Sequence, residues 1–188
     1  MLLISLKNIF WPTVKPGARA LLALATCALA GCVTSTTPIL DDPKAILGDR
    51  IQVHLFTPAK DGARKHSTAT FDWVGARYLP RGSSSDFTEF SIHAYEGRDL
   101  IIQSRASRRG GPFEYGLARR IAEGAYLVIP ISEEDADEPA RERFCTKTSG
   151  ASCRITTPEQ LFVFARATAA KDEESGGIAV ILPAAARR

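Results

Sequence analysis

Three histidines, a serine-rich turn, an acidic run and an arginine cluster are the groups in this chain whose types could do chemistry. His54 and His93 each fall on the polar side of an alternating stretch. Two imidazoles brought together by neighbouring strands, with Glu89 or Asp72 close by, would make a metal or acid–base centre. Polar-face residues facing water are the simpler account of both, and His66, in a loop, has less claim still. Gly82-Ser83-Ser84-Ser85-Asp86 offers three hydroxyls, but no G-x-S-x-G pattern surrounds them to expose a nucleophile. Glu133, Glu134, Asp135, Asp137 and Glu138 gather carboxylates without the alternating spacing of a calcium loop. They read better as the solvated start of a helix, where acids face the positive end of the dipole. No catalytic residue, metal site or cofactor is expected, and a hydrolase with an unrecognised site ranks last among the functional readings.

Arg105, Arg108, Arg109, Arg119 and Arg120 lie on two successive alternating stretches and the turn between them. A patch of guanidinium groups at one hairpin would suit a phosphate, a lipid head group or an acidic protein surface; scattered, solvated arginines are the plainer account. Phe71, Trp73 and Tyr95 could line a ligand pocket, although core packing explains them as well. Cys145 and Cys153 flank the loop TKTSGAS. There is no CxxC and no histidine within 50 residues, so the pair is expected as a disulfide rather than a metal site. Closing so short a loop stabilises by about 2.5 kcal/mol in the chain-entropy model.

The other two cysteines belong to the N-terminus. Lys7, Lys15 and Arg19 are the only charges before residue 32, and Ala20–Ala30 (ALLALATCALA) is an apolar run too short to span a bilayer. A basic region, a short apolar run and a small-residue exit describe a secretory signal. The exit can be cut two ways. Ala28-Leu29-Ala30 would release a soluble protein, whereas Leu29-Ala30-Gly31-Cys32 resembles the lipobox of bacterial lipoproteins. That resemblance covers the first 32 residues only. It implies diacylation of the Cys32 thiol, removal of residues 1–31, and a permanent anchor, since two chains hold where one does not. Cysteine counting agrees: Cys27 leaves with the signal, and Cys145 and Cys153 remain to pair. Val33, where Asp would signal inner-membrane retention in enterobacteria, favours the outer membrane facing the periplasm.

Removing the signal also removes the basic character. The 21 basic residues left balance the 21 acidic ones, so nothing points to nucleic acid. The organisation expected is a signal over 1–31, a lipidated cysteine and short flexible tether over 32–43, and one domain over 44–188. Within it, Arg50–Thr57, Thr68–Val74, Phe87–Tyr95, Leu100–Ala106, Phe113–Ile121 and Ala125–Ile131 alternate apolar and polar residues between Gly- and Asp-rich turns. Thr157-Pro158-Glu159-Gln160 opens a capped helix with an apolar stripe, Ser132 starts a shorter one interrupted by Pro139, and Ile178–Leu182 is a last strand. The fold expected is α+β: an antiparallel meander of about six strands covered by two C-terminal helices, with one disulfide. The function expected is that of an envelope lipoprotein held in the membrane through Cys32, serving as a structural or accessory subunit with an envelope protein partner. The alternative is a small-ligand binder with an apolar pocket on the sheet.

Overall fold

The computed structural model describes residues 31–59, 62–82, 87–107, 110–147, 152–171 and 176–184. Most of the signal segment, Ser83–Asp86, Arg108 and Arg109 lie outside the described residues. Eleven strands form: β1 (Val33–Ser35), β2 (Arg50–Pro58), β3 (Arg64–Val74), β4 (Arg77–Pro80), β5 (Phe90–Ala94), β6 (Leu100–Arg105), β7 (Phe113–Ala122), β8 (Ala125–Pro130), β9 (Thr146–Lys147), β10 (Cys153–Arg154) and β11 (Gly177–Pro183). Two short helices, α1 (Glu138–Phe144) and α2 (Pro158–Ala169), complete the described secondary structure apart from one 3-10 turn.

The open, helix-covered meander is not what forms. Strands β2 to β8 run up and down in sequence order, and β11 returns to pair with both β8 and β2. The result is a closed eight-stranded antiparallel barrel, to which β1, β10 and β9 add a short flap beside β7. The physical reason is that an amphipathic sheet can bury its apolar face against itself as well as against helices, and closure leaves no unpaired edge. Arg77–Pro80 is a short strand that carries the wall from β3 to β5. Gly75 and Ala76, both at positive φ, make the two-residue turn that launches it.

Two separate cores result. Inward side chains, among them Ile51, Val53, Phe71, Tyr78 and Ile92, form the core inside the barrel. Outward side chains of β6 and β7, Ile101, Tyr115 and Leu117, form another with Leu161, Phe164 and Ala165 of α2. The helix thus covers the outside of the wall. Its start is as the sequence indicated: Thr157 accepts from the Gln160 N–H in a capping box, and Pro158 occupies the first turn. The acidic run divides. Ser132 caps the 3-10 turn Glu133–Asp135, while Asp137 caps α1 with Pro139 in its first turn.

Part of the segment expected as a tether is packed. Val33 to Ser35 pair with β7 and β10, and Ile39 and Leu40 are buried. Gln103 Oε1 accepts from the N–H groups of Ile39 and Leu40 at 3.1 and 3.3 Å, and its Nε2 donates to Ser91. The Cys145–Cys153 disulfide is present and ties the end of α1 to β10.

Candidate functional site

The interior of the barrel is not filled. A cavity of about 590 Å³ runs through it, within the size range of small-molecule sites. Val53 and Leu55 from β2, Phe71 from β3, Ile92 from β5, Ile102 from β6 and Val128 from β8 are among its walls. Small residues make the room: Gly116 and Ala118 on β7, Gly177 and Ala179 on β11 all face inward. Eight strands is the size at which side chains can either fill the interior or leave space for one small ligand. Here the burial pattern decides. Inward-facing Leu55, Phe90, Leu100, Ile102, Val128 and Ile181 are only half-buried, whereas outward-facing Ile101 and Leu117 are 0 % exposed beneath α2. Apolar side chains that keep accessible surface inside a closed wall have forgone burial worth about 25 cal/mol per Å².

The two ends of the barrel differ. One is closed by the tight β3–β4 turn and by Leu47, whose N–H donates to the Tyr78 hydroxyl; that hydroxyl donates to the Gly48 carbonyl. At the other end, β2 finishes at Pro58, β3 begins at Arg64, and the cavity wall becomes polar. Thr57, Ser104, Ser132, Glu134 and Asp135 line it there, and Cys32 joins them through a bridge to Ser132. The register adds two more groups. Lys65 pairs with Thr57, and Glu114 lies two residues before Gly116, so both share the inward face. Burial pushes the Glu114 carboxyl up to about 7.

No family model matches this chain, no curated protein is similar to it in sequence, and no solved structure matches it.

The residues singled out in the sequence are placed otherwise. His54 and His93 do not meet. His54 Nδ1 lies 3.2 Å from His66 Nε2 on the outer face of β2 and β3, with Thr68 Oγ1 in reach of both. His93 is 6 % exposed under the Asp41 segment, between Ser91 Oγ at 2.9 Å and the Asp41 carbonyl at 3.1 Å. Burial lowers its pKa, so it is neutral, with Nδ1–H donating to that carbonyl and Nε2 accepting from Ser91.

The described arginines are not gathered. Arg105 donates to Glu89 at 2.8 Å and stacks on Phe113. Arg119 and Arg120 lie at the opposite end of β7, roughly 20 Å away at about 3.3 Å per residue, and Arg119 donates to the Ala169 carbonyl. Phe71 does line the cavity, Trp73 packs against the inner core, and Tyr95 lies outside the barrel against Phe162. Glu133 Oε2 comes within 2.9 Å of Cys145 Sγ, and with Cys153 these atoms lie within 4.8 Å of one another. Both sulfurs are committed to the disulfide, so no thiolate is available to a metal.

The lumen itself escaped the sequence reading. Its signal was present: Thr57, Lys65, Ser104 and Glu114 continue the inward face of their strands as polar residues, all at one end.

Proposed function

We propose that this chain is a membrane-anchored binding protein of the bacterial envelope that holds an apolar small molecule inside its barrel. The observation that carries the reading is the unfilled apolar lumen of about 590 Å³, with a polar mouth at one end. Below the polar mouth its walls are hydrocarbon, from residues such as Leu55, Phe71, Ile102 and Val128. Its chemistry is capture: removing an apolar solute from water, with orientation set by the polar groups at the mouth.

The anchor belongs to the same proposal. Cys32, the lipidated residue by resemblance, is 4 % exposed and lines the mouth. The Cys32 sulfur is in a disulfide in this structure; lipid in place of that bond would bring the mouth to the bilayer surface, where apolar molecules are most concentrated. The outer membrane, facing the periplasm, is the expected site. The subunit reading keeps one observation in its favour. Ile46, Val74, Ile121 and Leu182 are 44–51 % exposed, and all lie toward the closed end, where a partner could cover them.

The lumenal reading is tested with N-phenyl-1-naphthylamine, an apolar dye that fluoresces when it leaves water. The mature protein should enhance its emission saturably. Ala179→Phe, which fills the lumen from β11, should abolish the enhancement in a protein that still unfolds cooperatively. Unchanged dye binding in that variant would place the site elsewhere.

A further inference from the structure

The mouth contains polar atoms whose hydrogen-bonding needs the protein leaves unmet. Lys65 Nζ and Ser104 Oγ are both shielded from solvent and both lack a hydrogen-bond partner. Ser104 is 3 % exposed and lines the cavity. Lys65 is on the inward face of β3 by register, paired with Thr57, and Thr57 lines the cavity as Ser104 does. Lys65 is half-buried as a residue, but an amine shielded at its tip without an acceptor costs stability, and an orphaned buried hydroxyl adds to the cost. The same two atoms become favourable once an anion sits between the walls, since charge-assisted hydrogen bonds are about twice as strong as neutral ones.

The other charged groups around the mouth leave this role to Lys65. Asp135 is occupied, accepting from Thr168 Oγ1 at 2.8 Å and pairing with Lys171 at 3.1 Å. Glu134 is exposed to solvent, which satisfies it. Glu114, directly across the β6–β7 seam from Ser104, is half-buried, and that burial favours its uncharged, donor-bearing form. Deeper in the lumen the walls turn apolar: Phe71, Ile92, Leu100, Ile102, Val128 and Ile181 offer nothing to a polar group. The volume equals that of roughly 20 waters, so a chain of about that many heavy atoms fits.

Resting on the lumenal reading above, we propose that the ligand is a single-chain amphiphile with an anionic head, carboxylate or phosphate. Its tail lies in the apolar floor, and its head is held at the mouth by Lys65 and Ser104.

The test uses the full-length mature protein, purified in a non-ionic detergent, stripped of lipid and loaded with N-phenyl-1-naphthylamine. Palmitate, a lysophosphatidate and hexadecanol are each titrated to displace the dye, from wild type and from Lys65→Met. The expected result is that at least one of the two anionic amphiphiles loses about tenfold in affinity in Lys65→Met. Hexadecanol and the dye should stay within about twofold, and Lys65→Arg should restore the anion. Comparing palmitate with the lysophosphatidate identifies the head group. Equal losses for the alcohol and the acids, or none for either acid, would overturn the anionic head while leaving the lumen as the site. Failure of wild type to bind the dye and all three amphiphiles would overturn both.

Discussion

Ser104 and Glu114 face each other across the β6–β7 seam, both directed into the barrel. Among the described inward pairs of that register they are the only polar one: the neighbouring inward pairs are Ile102–Gly116 and Leu100–Ala118. The wall thus changes from hydrocarbon to hydrogen-bonding groups within one step along the strands. Such a change in the middle of a buried surface costs stability, and the cost can be measured.

The Glu114 carboxyl, raised from 4.5 to about 7, binds its proton more tightly in the folded than in the unfolded chain. Stability from this group is therefore greatest below about pH 4.5 and declines as pH rises towards 7. The full shift would correspond to about 3.4 kcal/mol, which solvent screening of this half-buried group reduces to roughly 2 kcal/mol. Glu114→Gln should flatten this part of the profile and stabilise the protein at pH 8. Urea unfolding at pH 5 and pH 8 checks it; equal pH dependence in variant and wild type would contradict the assignment.

His93 works in the opposite direction. Its pKa is lowered by burial, so the unfolded chain binds the proton more readily. The stability it contributes as a neutral link between Ser91 and Asp41 is present above pH 6.5 and is lost as pH falls through the lowered folded value. His93→Gln should destabilise at pH 8 and remove part of the stability loss that sets in as pH falls below 6.5. Near-ultraviolet circular dichroism in urea at those pH values follows the loss.

The Cys145–Cys153 bridge closes a loop between residues eight apart. Replacing both by serine should cost about 2.5 kcal/mol under non-reducing conditions. Adding a reductant to wild type should reproduce that loss and leave the double variant unaffected. Free-thiol labelling of both cysteines in the exported, unreduced protein would remove the premise.

Anchoring through Cys32 predicts that Cys32→Ser moves from the membrane pellet to the soluble periplasmic fraction. Retention of the variant in the pellet after a high-salt wash would rule the anchor out. Because Cys32 also lies at the mouth, dye binding by that variant should be compared with wild type, so that loss of the anchor is not mistaken for loss of the site.

Local chemistry explains what could be read from the chain alone. The basic segment, the apolar run and Cys32 follow one another in sequence, so the proposed export signal and anchor needed no fold to be visible. The capping box of Thr157 and Gln160 and the alternation in β2, β3, β6 and β7 were legible for the same reason: each depends on neighbours a few residues away. The Cys145–Cys153 pairing followed from counting and from a short loop.

Tertiary structure decided the rest. Alternation shows that a strand has two faces, but not whether its apolar face looks onto a helix or across a barrel at another strand. That choice was made by β11, which pairs with β2 across more than 100 residues and closes the wall. Closure then set which histidines meet, buried His93 beneath the Asp41 segment, and moved α2 to the outside. Above all it turned Lys65, Ser104 and Glu114, unremarkable polar residues on three different strands, into one mouth. Each continues the inward face of its own strand as a polar residue, but that the three share one end follows only once all eight strands are joined.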